Sequence, residues 1–305
     1  MKTCRREFLK TAGMMVGGAT IGGSLREAFA LPNGDPIGFQ TYEIFKNLAA
    51  DWQGTWNAMA SMGYKYADLC YYQGSPIGEH SPDEINQALA QAGLSCTVCH
   101  LVLDDFNDES FSKTMDVAHA LKGVKTLVIS VGGRAEGKKR QKATLDDWKW
   151  MAGQLNEVGQ KVQKEGFQLG YHNHNMEFIE TDGKIPYDIL MESTDPKLVK
   201  YQIDVGNLTF GGGDAYHYLS AYPHRYMGLH VKDYKPGIAA VPVGDGILDW
   251  KRIFALAKKD RIKNYNAEVG AYGRVSLSGQ VLKPSPMDVL ELFRRSAEYL
   301  IAFKS

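Results

Sequence analysis

The chain lacks any excess of charge. Lysine plus arginine and aspartate plus glutamate number 35 each in 305 residues. A neutral chain supplies no long-range field for nucleic acid or an anionic membrane surface, so neither is an expected partner. The chain also lacks a G-x-x-x-x-G-K-[ST] loop, a G-x-G-x-x-G after the first strand-like run, a G-x-S-x-G elbow and an H-E-x-x-H pair. Nucleotide-dependent chemistry and serine hydrolysis are therefore not indicated. No long linker, low-complexity tract or internal repeat divides the chain, and 44% hydrophobic content is ample for one large core.

Cysteine is scarce, at four residues. Cys4 lies in the N-terminal segment, which leaves Cys70, Cys96 and Cys99, an odd number. Cys96 and Cys99 form a C-x-x-C, but within the strand-like run SCTVCHLVL. An i, i+3 pair on a strand points to opposite faces, which suits neither a metal knuckle nor a redox pair. Buried, unpaired thiols are the expectation.

The N-terminus reads as a targeting segment. Cys4-Arg5-Arg6-Glu7-Phe8-Leu9-Lys10 matches the R-R-x-F-L-K form of a twin-arginine export signal. A glycine-rich apolar run from Thr11 to Gly23 follows, then Ala28-Phe29-Ala30 as a small-x-small cleavage site. That run is too short and glycine-rich to span a bilayer well. Residues 1–30 are thus expected to be removed, giving a periplasmic or otherwise exported protein with no stable membrane span. Residues 31–305 are expected to form one domain.

From residue 37 onward, strand-like and helix-like segments alternate. Apolar, β-branched or aromatic runs occupy 37–45, 66–72, 95–103, 126–133, 167–178, 199–208, 226–234 and 264–272. Between them lie helical patterns such as DWQGTWNAMASMG, SPDEINQALAQAG and TLDDWKWMAGQLNEVGQKVQKEG. The second and third open on Ser or Thr with acidic residues in the first turn, and all three end at glycine. PMDVLELFRRSAEYLIAF supplies a closing helix. Strand and helix in alternation mean parallel βαβ units, and eight of them predict a (β/α)8 TIM barrel. The residue count suits that fold, which typically needs about 250.

Four side chains able to ligate a metal lie in or just after the last four runs: His172, Asp204, His230 and Glu268, spaced 32, 26 and 38 residues apart. Each gap is about one strand-plus-helix unit, and a parallel barrel gathers the C-terminal ends of its strands at one mouth. Two imidazoles and two carboxylates meeting there would hold a divalent cation. Alternation puts His172 and His174 on one strand face and Asn173 on the other. Asp204 alone reads equally well as an N-cap; in company with the others it reads as a ligand, because a charged aspartate in a buried strand needs a partner. Lys232, two residues after His230, could hold a substrate oxyanion, carry a proton or simply pair with an inward carboxylate. Glu268 is the candidate base or acid, with His174, Glu177 and Lys232 as further proton carriers. His100, Asn207 and Lys232 are the candidate substrate-binding side chains; Glu43 and Asp68 are held in reserve with His100. The irregular stretch from Lys235 to Asp249, with its Val243-Gly244-Asp245-Gly246, reads as a loop at the mouth or a tight turn into the next helix.

These segments resemble the sugar phosphate isomerase/epimerase family, the xylose isomerase-like TIM barrels. The resemblance runs from GFQTYEIF to the closing helix and is most specific at GYHNHNMEF, IDVGN, GLHVKDY, VGDGILDW and AEVG. In family members that epimerise ketoses, a Glu-Asp-His-Glu set binds Mn²⁺ or a similar ion and the two glutamates exchange protons with substrate. The last three members carry over to Asp204, His230 and Glu268. The first departs: His172 stands where a glutamate would be, in a Y-H-N-H form related to the Y-H-H-H of inosose dehydratases. The resemblance implies a divalent metal, Mn²⁺ first, with Zn²⁺, Co²⁺ or Mg²⁺ as alternatives. It implies a sugar or keto-sugar substrate and proton transfer next to a carbonyl. Isomerisation or epimerisation ranks first on family frequency. Elimination from a keto-sugar or 3-keto-glycoside ranks second, and a non-catalytic sugar-binding protein third. A homo-oligomer is compatible with the aromatic Tyr216-His217-Tyr218 segment.

Overall fold

The computed structural model describes residues 35–71, 75–130, 143–270, 274–275 and 281–303. The expected export signal, parts of three connecting segments and the last two residues lie outside them. Eight parallel strands close into one barrel, each hydrogen-bonded to the next in chain order and the eighth to the first. Strands one to eight are Ile37–Gln40, Tyr66–Cys70, Ser95–Leu101, Thr126–Ile129, Gln168–His172, Val199–Asp204, Tyr226–Val231 and Tyr265–Ala267. All eight fall inside the runs expected to carry them. They are shorter than those runs because the chain leaves the sheet early to build the mouth. A 3-10 turn at Met176–Phe178 replaces the end of the fifth run, and a helix at Val205–Phe210 replaces the end of the sixth.

The helix signals act as expected. Ser81 and Glu84 form a capping box at the start of Pro82–Ala92, and Gly93 ends that helix with φ of 71°. Thr144 and Asp147 do the same for Leu145–Lys164. Positive φ at the stop costs glycine little and other residues more. Between barrel and helices the core is strongly aromatic. Tyr64 packs edge-on to Phe39 and Phe293 at 5.3 and 5.9 Å, and its hydroxyl donates to the Phe293 carbonyl. Cys70, Cys96 and Cys99 are buried free thiols. No helix among the described residues is long and apolar enough to cross a membrane.

Inside the barrel the residues are largely polar. Period two along the strands sends Gln40, Asp68, His100, His172, Gln202, Asp204, His230 and Asn266 inward, and all are buried. Such a layer is stable only if its groups bond one another. Gly38 makes room for it: a Cβ there would lie 2.1 Å from the Tyr66 ring and 2.2 Å from Asn266 Oδ1.

The stretch after strand seven is a built structure. Asp233–Lys235 pairs antiparallel with Ile238–Val241. The next loop then wraps the buried Asp233 carboxylate, which accepts from the backbone N–H groups of Gly244, Gly246 and Leu248 and from Trp250 Nε1 at 2.8 Å. Gly246 is obligatory, since a Cβ would sit 1.9 Å from Asp233 Oδ1. Asp233→Ala is expected to leave several of these donors unbonded and to cost about 3 kcal/mol. That corresponds to a melting point lower by roughly 5 °C for a chain of this size. A thermal shift under about 2 °C would mean that water replaces the carboxylate at little cost.

Candidate metal centre

Strands five to eight deliver the four proposed ligands to one place. His172, Asp204, His230 and Glu268 each offer a ligand atom, and those atoms lie within 4.8 Å of one another. All four are buried. His172 and Asp204 end their strands. His230 lies within strand seven, directly across from Asp204. Glu268 follows strand eight, tied in register by its N–H to the Val231 carbonyl at 3.1 Å.

Each ligand candidate is held differently. Asp204 caps the short helix behind it, accepting from Asn207 N and Asn207 Nδ2, both at 2.7 Å. It is therefore both N-cap and cluster member. Its backbone is fastened to Asn173, whose amide accepts from Asp204 N and donates to Asp204 O. Glu268 touches His230 Nδ1 through Oε2 at 2.7 Å and Lys232 Nζ through Oε1. Lys232 Nζ also lies 3.7 Å from Asp204 Oδ2. A Cβ on Gly206 would lie 2.6 Å from the Lys232 carbonyl, so only glycine lets the strand-six helix pass that close.

The electrostatics follow from burial and pairing. Desolvation pushes the Glu268 carboxyl up, but the Lys232 charge and the His230 hydrogen bond outweigh it and hold the group well below the usual carboxylate range. Desolvation dominates at Asp204, raised to about 6 against the pull of Lys232. Burial also opposes a charged His230, yet its bonds to Asp68 and Glu268 raise it to about 9. His172 goes the other way, kept neutral by burial and by the neighbouring His230. A neutral imidazole is the ligating form.

A divalent cation fits this set. His172 Nδ1 is buried with no hydrogen-bond partner, and Nε2 stops 4.0 Å from Glu268 Oε2. An imidazole buried without bonds is costly, and a ligand bond offsets that cost. Two imidazoles and two carboxylates suit Mn²⁺, Zn²⁺ or Co²⁺ without selecting sharply among them.

Three of the expected residues make contacts that bear on their roles. Glu177 accepts from the Tyr171 hydroxyl at 2.7 Å and from His174 N at 3.0 Å. Tyr171 packs on Tyr201, and these two bonds place Glu177 in the turn after strand five. Asn207 braces Asp204 as described. His100 lies deep, its Nε2 2.7 Å from Gln202 Oε1 and 3.2 Å from Asp68 Oδ1. The amide thus bonds to a proposed ligand, and the imidazole to the polar layer beneath it. His174 stays in contact, its ring 5.1 Å from that of His172 and partly exposed. Gln202 and Asn266 are the participants not foreseen. Each precedes a candidate ligand by two residues, on the same strand face, so the alternation that found the ligands also marked them.

The xylose isomerase-like TIM barrel family model matches residues 56–294. The chain belongs to this family. An inosose dehydratase of Geobacillus thermodenitrificans is 29% identical over 222 residues, covering 61% of this chain and 73% of that enzyme. One from Bacillus cereus is 28% identical over 234 residues, covering 65% and 77%. Among solved structures, a sugar phosphate isomerase/epimerase from Parabacteroides distasonis superposes with a TM-score of 0.72 at 25% identity, covering 88% of this chain and 94% of that one. A 3-keto-D-glucoside 4-epimerase from E. coli shares the fold, with a TM-score of 0.59 at 18% identity over 87% and 98%. Membership places the chain in a superfamily of isomerases, epimerases and dehydratases.

Proposed function

We propose that the protein is a divalent-metal-dependent lyase that removes water, or another β-leaving group, from a cyclic keto-sugar. The carrying observation is the contact between Lys232 Nζ and Glu268 Oε1, with His172 in place of a second carboxylate. An acid and a base side by side serve elimination on one face of a ring. Epimerisation needs proton carriers on opposite faces. The inosose dehydratases among the relatives support the same reading. The sequence ranks isomerisation first; the geometry favours elimination.

His172, Asp204, His230 and Glu268 would hold the ion, with Mn²⁺ the first expectation. Bound there, it would polarise the substrate carbonyl and make the neighbouring C–H more acidic. The residues do the rest. Glu268, kept ionised, takes the α-proton at Oε1. The electron pair of that C–H becomes the new C=C as the β C–O bond breaks. Lys232 Nζ protonates the departing hydroxyl, which leaves as water. The proton on Glu268 then crosses the Glu268–Lys232 contact and restores both groups. Proton transfer by a placed side chain contributes roughly 10²–10⁴-fold. The Arg5-Arg6 motif supports export, which fits a substrate without phosphate.

The test is incubation of metal-loaded protein with an inosose, a 3-keto-glycoside and common ketoses in D₂O. The lyase gives a product lighter by water with enone absorbance. An isomerase or epimerase gives a product of unchanged formula carrying solvent deuterium, and that result would overturn the elimination reading. Neither exchange nor elimination with any of them would favour a binding protein.

A further inference from the structure

Beneath the proposed ligands, one carboxylate organises the barrel interior. Asp68, on strand two, is fully buried. Its Oδ2 accepts from His230 Nε2 at 2.9 Å, Gln202 Nε2 at 2.7 Å and Asn266 Nδ2 at 2.9 Å. These donors come from strands seven, six and eight, so the carboxylate reaches across the barrel. Oδ1 faces His100 Nε2 at 3.2 Å. Asp68, His100 and His230 could themselves be taken for a metal site. Three N–H groups already fill Oδ2, and His100 Nε2 donates to Gln202 Oε1, so that nitrogen has no lone pair to offer; only Oδ1 accepts no hydrogen bond.

We propose that Asp68 is the positioning residue of the metal centre, fixing which nitrogen of His230 faces the ion; this rests on the metal-dependent reading above. His230 Nδ1 is the nitrogen turned toward Glu268, at 2.7 Å, and thus toward the other ligands. For Nδ1 to offer a lone pair, the imidazole must carry its proton on Nε2. Glu268 likewise can only accept, so both nitrogens carry protons in this structure; where an ion takes the place of the Nδ1 proton, the Asp68 carboxylate still holds the other proton on Nε2. It also fixes the ring plane and strengthens Nδ1 as a donor, as carboxylates behind metal-bound histidines do. Gln202 and Asn266 hold the carboxylate in turn, and the absence of a side chain at Gly38 leaves Asn266 its space.

The test compares wild type with Asp68→Asn, whose side chain has the same shape without the charge. Mn²⁺ affinity, measured by calorimetry, is expected to fall about 10–100-fold in the variant, at unchanged secondary structure. A wild type that binds Mn²⁺ and a variant that binds it within twofold would overturn the role of Asp68 alone. A wild type that binds neither Mn²⁺ nor Zn²⁺ would overturn the metal reading and this inference together. Should the variant fail to fold, the wild type still decides. Long-range ¹⁵N–¹H spectra of the Zn²⁺-loaded protein are expected to show His230 protonated at Nε2 and not at Nδ1. Protonation at Nδ1 would overturn the proposal.

Discussion

Glu268→Gln is expected to lower turnover of the keto-sugar by about 10³-fold while the variant still binds it. The substitution keeps the shape and one ligating oxygen, so substrate contacts and part of the metal affinity survive. It removes the only carboxylate that touches both Lys232 and His230 among the described residues. A placed proton acceptor is worth roughly 10²–10⁴-fold; the upper half of that range is expected because an amide cannot accept a proton in its place. The same variant should lose α-proton exchange in D₂O. The measurement is exchange and turnover on protein whose metal content has been determined. If loss of turnover tracks loss of metal alone, and added Mn²⁺ restores it, Glu268 is a ligand and not the base. If exchange persists at the wild-type rate, the base lies elsewhere, and His174, partly exposed beside His172, is the next residue to replace.

The barrel and its ligand set are legible in the sequence for one reason. In a parallel barrel, residues two apart share a face and strand ends share a mouth. His172, Asp204, His230 and Glu268 obey both rules, so their spacing carries three-dimensional information. Strand length is less legible. GYHNHNMEF and YQIDVGNL continue in apolar residues past the point where pairing stops. Nothing local says that Asn173 will instead pair with the backbone of Asp204, 31 residues away. Asp68 is the clearest case of a residue whose neighbourhood is silent. It stands in YADLC like any inward strand residue, and its partners lie 134, 162 and 198 residues further along the chain. Only closure of the barrel brings them together. Glu177 is the opposite case: it sits in the densest polar cluster of the sequence, and its bonds to Tyr171 and His174 are local ones.

Lys232→Met separates the two halves of the proposed reaction. If Lys232 supplies the proton to the leaving hydroxyl, its loss is expected to cut elimination by at least about 10²-fold. Proton exchange at the α-carbon should survive, since Glu268 remains. The pH dependence adds a second sign. Burial alone would raise the Glu268 carboxyl, and the Lys232 charge is the first of the groups that hold it down. Without that charge the carboxyl titrates at higher pH. The ionised base is then lost sooner on acidification, and the acidic limb of the exchange rate moves to higher pH. An unmoved limb would show that His230 alone keeps Glu268 ionised. Parallel loss of exchange and elimination would mean that Lys232 serves the first step, by holding the oxyanion as the α-proton leaves. That outcome would remove the acid from the elimination and return the isomerase reading to first place, because a lysine that only stabilises the oxyanion leaves nothing on the Glu268 face to protonate a leaving group.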